Sequence, residues 1–466
     1  MSEVAPTPSI GSANPPRPAA PGVPAGKFTT GSTLRHVVVM SATGAVGLMA
    51  IFVVDFLNLF YISLLGRQEL TAAVGYASAL FFFLTSIGIG LSIGIAALVS
   101  RALGGRDRER ARRLSASGLI LVTIFMTVVS AAIALALPVL VTWLGAEGAT
   151  RLIAERFLLM TLPSTPFLGI GMALSSILRA VGDARRAMWV TLGGAIAAAI
   201  LDPILIFGMG LGIDGAAIAT VLARIAFAAI GAYGAVHVHH LVAKPQLRDL
   251  PADALALSAI ALPAILTNIA TPTANGYVTS ALSAHGEPAV AAWTVIGRLS
   301  PLAFAGIFAL SAAIGPIIGQ NLGARHIDRV RAVITNSLFL TLAYVLAVWA
   351  VLIASENAII GYFAASDEAG QLIRFYCEIV SGTFLFMGGL FVANAAFNTL
   401  GSALLATAFN WGRATLGTIP FVMIGGHMAG AKGVMLGQGV GGIVFGIAAV
   451  ATAYWVIGRL DRSTAR

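Results

Sequence analysis

Charge is what this sequence most conspicuously lacks. Only 10% of its 466 residues are Asp, Glu, Lys or Arg, while 58% are hydrophobic; a soluble chain carries roughly 25% charged residues. So little charge cannot cover a soluble particle of this size, and the chain is an integral membrane protein. Cysteine is nearly absent too. Cys377 stands alone, which excludes a disulfide framework or a thiolate metal site. No Gly-x-x-x-x-Gly-Lys-Ser/Thr pattern occurs, so ATP-driven pumping within this chain is not expected. No nucleophile–base constellation or helical metal-ligand spacing is evident, and neither an enzyme nor a metal site is expected. No secretory signal is visible: residues 1–34, with seven prolines by Pro24, read as a disordered cytoplasmic tail.

Long apolar runs are what is present. A membrane helix needs about 20 predominantly apolar residues, and the chain offers twelve such stretches. They run over 36–64, 71–100, 115–144, 152–179, 187–209, 215–241, 257–284, 289–320, 333–361, 371–399, 402–425 and 431–457. Their continuity excludes alternating barrel strands. Twelve spans put both termini on one side. Of the 28 lysines and arginines, 20 fall in segments on that side and five on the other. By the positive-inside rule both termini are cytoplasmic. The pI near 10.2 is therefore a topology signal and no nucleic-acid partner is expected.

The two halves match at an offset of 219 residues. Leu103-Gly104 corresponds to Leu322-Gly323, Arg106, Arg110 and Arg112 to Arg325, Arg329 and Arg331, and Gly182 to Gly401. Each unit holds six spans, an even number, so the halves insert in the same direction as parallel repeats. The expected fold is all-α: an N-lobe over 35–243, a cytoplasmic linker over 244–256, a C-lobe over 257–458 and a short tail over 459–466. Two lobes that rock against each other suit a transporter.

A charge buried in lipid costs at least ~2.5–3.5 kcal/mol on insertion scales, so each ionisable residue inside a span is a functional candidate. Asp55, Asp202 and Arg224 share one level in the outer half of the N-lobe. Asn58 lies on the face of Asp55, and Thr220 one turn from Arg224. Two neighbouring desolvated carboxylates form a proton or cation site; alternatively, Arg224 locks one of them in a structural pair. Neither carboxylate is repeated in the C-half. There, Arg298, Glu378 and Arg413 form a Glu–Arg cluster or contribute to a substrate cavity. Asn268, Asn275, Tyr277, Asn394 and Asn398 either line that cavity or bond helix to helix. His237, His239 and His240 read as interfacial.

Several segments carry a resemblance. They are Tyr61-Ile62-Ser63-Leu64-Leu65-Gly66, Leu178-Arg179-Ala180-Val181-Gly182-Asp183, Ile200-Leu201-Asp202-Pro203 through Gly215-Ala216-Ala217-Ile218-Ala219-Thr220, and Gly319-Gln320-Asn321-Leu322-Gly323-Ala324. Over about residues 35–458 the chain resembles the multidrug and toxic compound extrusion (MATE) family. The resemblance implies two six-helix bundles around a V-shaped cavity, in a bacterial inner membrane protein working as a monomer. It also implies that proton or sodium entry drives export of organic cations, drugs or other amphiphilic compounds, with no cofactor beyond the coupling ion. Asp55, Asp202 and Thr220 match the family's N-lobe cation site. Ala198 replaces an Asn usually found one turn before the fifth-helix Asp, 257–284 holds no carboxylate, and 36–64 holds no proline. These departures favour protons over sodium. A lipid-linked saccharide flippase of the wider superfamily is the alternative, though it calls for a more arginine-rich cavity.

Overall fold

A computed structural model describes residues 26–244, 246–363 and 365–464. Among the described residues the chain is helical throughout. Spans 1 to 7 are Thr33–Ser63, Gln68–Gly104, Arg108–Trp143, Gly148–Val181, Ala184–Gly208, Gly212–Val238 and Leu250–Ser283. Span 8 is interrupted at Phe304 and runs as Glu287–Ala303 and Ala305–Gly323. Spans 9 and 10 are Ile327–Tyr362 and Asp367–Leu400. The last helical stretch, Ala403–Arg462, is two spans rather than one. Gly430, at φ 59, breaks it beside Ala429, a conformation that costs glycine little. Twelve crossings result, as the apolar runs require.

The duplication is written in the backbone as well as in the residues. Span 4 is broken by a 3-10 turn at Leu162–Ser164, and span 10 by one at Val380–Thr383, the position 219 residues on. Gly182 and Gly401 end these spans in the left-handed conformation, at φ 90 and 88. Arg106 and Arg325 take the same unusual conformation, at φ 59 and 61, in the corresponding loops.

Spans 1 to 6 pack mainly on one another, as do spans 7 to 12, and the two bundles meet through spans 1 and 2 against spans 7 and 8. The meeting is made by small residues. Gly90 lies against Ile265, Gly94 against Leu257 and Gly44 against Ala309. These contacts lie toward the ends of the spans that carry most of the arginines, here termed the basic face. Toward the opposite face Gly75, Ser78 and Ala79 of span 2 and Thr294, Gly297 and Arg298 of span 8 stay exposed on repeat-equivalent surfaces. The bundles thus converge at the basic face and diverge from it, enclosing a V-shaped cavity.

The expected disordered tail is corrected at its end. Residues 1–25 lie outside the described residues, but Lys27–Thr29 forms a turn of 3-10 helix in which Phe28 is only 1% exposed.

Candidate functional site

The site begins with a helix that cannot continue. Pro203 supplies no N–H, and span 5 widens there into a π-helical turn, Ile204–Gly208. Asp202 stands two residues before this turn and is 1% exposed. Its Oδ2 accepts a hydrogen bond of 3.0 Å from Asn58 Nδ2 on span 1. Its Oδ1 is buried with no hydrogen-bond partner among the described residues. A buried polar atom left unmatched costs roughly 1–3 kcal/mol, and an acceptor in that position is a place for a proton or a cation.

Asp55 lies three residues before Asn58 and therefore on the same side of span 1. It is exposed, and among the described residues it has no hydrogen-bond or ion-pair partner. The two residues thus differ in enclosure, Asp202 being the more deeply buried, and Asn58 joins span 1 to it. Thr220 on span 6 is half-buried, and its hydroxyl donates to Ala216 O of its own helix at 2.9 Å.

Arg224 does not pair with either carboxylate. It donates to Thr161 O at 3.1 Å and Ser164 Oγ at 3.0 Å, and its guanidinium lies 4.7 Å from the centre of the Phe81 ring. Thr161 is the last residue of the first helical segment of span 4, before the turn containing Pro163. A carbonyl at a helix C-terminus attracts a cation, so the break in span 4, and not the acid site, holds this arginine.

The expected Glu–Arg cluster of the C-half does not form. Glu378 and Arg298 are exposed, and neither enters an ion pair among the described residues. Arg413, 2% exposed, donates to Thr271 Oγ1 on span 7 at 3.0 Å, tying span 11 to span 7 through neutral groups. Asn394 accepts from Asn410 at 3.0 Å, and Asn268 bonds its own helix at Ala264 O. Asn275 is exposed and accepts from Gln438 at 3.1 Å, while Tyr277 packs on the C-half core. Asn398, 4% exposed, leaves its Oδ1 without a partner. These residues divide between helix ties and exposed positions on spans 7, 8 and 10.

Sequence reasoning missed the seam between the bundles. At the basic face Gly104 lies directly on the backbone of Gln320, and Gly323 directly on the backbone carbonyl of Arg101. Residues 101 and 320, and 104 and 323, are repeat equivalents. The contact is therefore reciprocal, as expected of a two-fold relation along the membrane normal. Arg101 reaches across it, its Nε and Nη2 both donating to Thr399 O. The repeated Leu-Gly was visible in the sequence; its meaning, two backbones touching, was not.

Beside the seam, His239 Nε2 lies 2.8 Å from Asp183 Oδ2, so this histidine is held as an interfacial partner. Burial alone would raise the Asp183 carboxyl. Hydrogen bonds from the Arg186 amide and guanidinium and from His239 outweigh it and hold Asp183 below the usual carboxylate range. Among the described residues no group of three or more His, Cys, Asp and Glu is placed to hold a metal ion.

The family model described as MatE matches residues 45–204 and 263–424, one block in each half. The chain is 26% identical to a protein named FAD transporter of Shewanella oneidensis, over 88% of this chain and 92% of that one. It is 24% identical to the Staphylococcus aureus multidrug export protein MepA, over 90% and 93%. Among solved structures, the Vibrio cholerae MATE transporter VcmN in the bent form superposes with a TM-score of 0.87 at 25% identity. That match covers 92% of this chain and 98% of that one.

Proposed function

The chain belongs to the MatE family of transporters, and from that premise we propose that it is a proton-coupled antiporter. In this reading it exports amphiphilic small molecules, organic cations and drugs among them, by alternating access. The observation that carries the reading is Asp202, buried on span 5 with one oxygen tied to Asn58 and the other unmatched, next to an exposed Asp55. The basic face is cytoplasmic, the membrane is the bacterial inner membrane and the working unit is the monomer.

A proton from outside is taken up by the pair Asp55 and Asp202, which spans 1 and 5 hold side by side through Asn58. Protonating Asp202 would give its unmatched oxygen a hydrogen to donate and remove the charge that Asn58 now satisfies. The link between spans 1 and 5 weakens, their packing changes and the exported solute is released outward. Each ligand biases a two-state equilibrium only by its different affinity for the two states. The absence of a third oxygen ligand fixed toward Asp202, with Ala198 one turn away and the Thr220 hydroxyl bonded within its own helix, favours a proton over sodium. A saccharide flippase gains no support, since Arg224 and Arg413 are both engaged with neutral groups.

The test is ethidium accumulation in everted vesicles, scanned against pH and sodium. Solute-driven proton release should vanish in Asp55→Asn and Asp202→Asn. Wild-type coupling in either variant, or uptake that tracks sodium alone, would remove the basis of the proposal.

A further inference from the structure

The seam at the basic face has an occupant. Gly26–Thr30, immediately before span 1, inserts where the two bundles meet. The Phe28 amide donates to Gln320 Oε1 at 2.8 Å, and the Phe28 carbonyl accepts from Asn321 Nδ2 at 3.2 Å and Arg329 Nη2 at 2.9 Å. Arg329 also donates to the carbonyls of Thr30 and Gly31. All three partners belong to spans 8 and 9. On the other side Lys27 Nζ donates to Gly182 O at 2.8 Å, and the Phe28 ring packs against the same glycine of span 4. Gln320 completes the tie by donating to Ala180 O at 2.7 Å.

One short segment is therefore held by both repeats at once, and only while they are together. Separating the bundles at this face must strip Lys27 from Gly182, or Phe28 from Gln320, Asn321 and Arg329. The repeat gives a built-in comparison: 219 residues on, Leu247 occupies the position of Phe28 and is 75% exposed. Insertion is thus a property of this segment and not of the duplicated architecture.

We propose that Gly26–Thr30 is a latch, an intramolecular ligand of the closed basic face that must leave before that face opens. Its departure then gates the return half of the transport cycle. The proposal rests on alternating access, but on neither the coupling ion nor the solute, and its test needs neither of them.

That test uses the full-length protein with Cys377→Ala and Ser100→Cys. Ser100 is 0% exposed and faces Gly319 across the seam. Labelling in everted vesicles by a membrane-impermeant maleimide reports opening at the basic face, with no solute or proton gradient applied. Phe28→Ala should raise the labelling rate several-fold, Lys27→Ala should raise it less, and Phe28→Leu should restore slow labelling. Unchanged labelling in a folded Phe28→Ala protein would overturn the latch. So would failure of Phe28→Ala to fold, since the segment would then be part of the core. Altered ethidium coupling with unchanged labelling would also count against the latch while leaving the antiport reading intact.

Discussion

Gly104→Ala puts a methyl group where the backbone of Gln320 already lies. Neither partner can turn aside, because both belong to helix backbones rather than to the tips of flexible side chains. Overpacking of this kind costs about 1–3 kcal/mol. The penalty applies only while the bundles touch, because opening the basic face removes Gln320 from the new methyl. It therefore acts on the equilibrium between states and not on the fold, and 1–3 kcal/mol is a shift of about 5- to 150-fold. The variant should be found closed on the outer side far more often than the parent. Gly323→Ala, which meets the Arg101 carbonyl, should act alike. The double variant should add little, since a seam already open leaves nothing further to clash. Spin labels at Gln68 and Glu287, exposed repeat equivalents at the outer ends of spans 2 and 8, measure this in a Cys377→Ala background. A shorter-distance population should grow. An unchanged distance distribution in a protein that still unfolds at the parental temperature would refute the reasoning.

Asn58→Leu takes from buried Asp202 the hydrogen bond that Asn58 Nδ2 donates, a loss of roughly 1–3 kcal/mol. Thermal unfolding in detergent should show it, and Asn58→Leu with Asp202→Leu should regain stability without regaining transport. Arg224→Gln uncaps Thr161 and Ser164, so the unfolding temperature should fall while proton coupling persists; loss of coupling at normal stability would place Arg224 in the acid site after all. Asp183 is held low by Arg186 and His239. Its contribution is present above the unfolded carboxylate pKa of about 3.9 and is lost as pH falls through the lower folded value. The stability difference between the parent and Asp183→Asn should therefore shrink as unfolding is followed from pH 6 down to pH 3, and a difference that grows instead would reverse the assignment.

The architecture was legible because lipid imposes a simple demand, one apolar run per crossing. The repeat was legible because Leu-Gly-x-Arg recurs at a fixed distance. Asn58 and Asp202 meet across spans 1 and 5, a contact that counting residues along helices makes possible by putting them at a similar height. Arg224 was at that depth too, yet its side chain follows the carbonyls freed at the break in span 4, and no rule of spacing reveals which way a long side chain turns. Arg298 and Glu378 do not pair either, since lying in neighbouring spans of one lobe does not turn two side chains toward each other. The latch was hidden by composition. A segment rich in proline and small residues looks like a tail, and only the three-dimensional partner of Phe28 shows otherwise.

The reciprocal glycine seam has a consequence for how this protein senses its surroundings. Its contacts are backbone against backbone, supplemented by an arginine engaged with a carbonyl, while elsewhere on the same face Arg113 of span 3 pairs with Asp249 and Asp253 at the start of span 7. Surface ion pairs weaken as salt screens them, whereas steric fit and buried dipoles do not. Rising ionic strength therefore acts on the Arg113 pairs and leaves the backbone contacts of the seam unchanged, so salt loosens the closed face only in part.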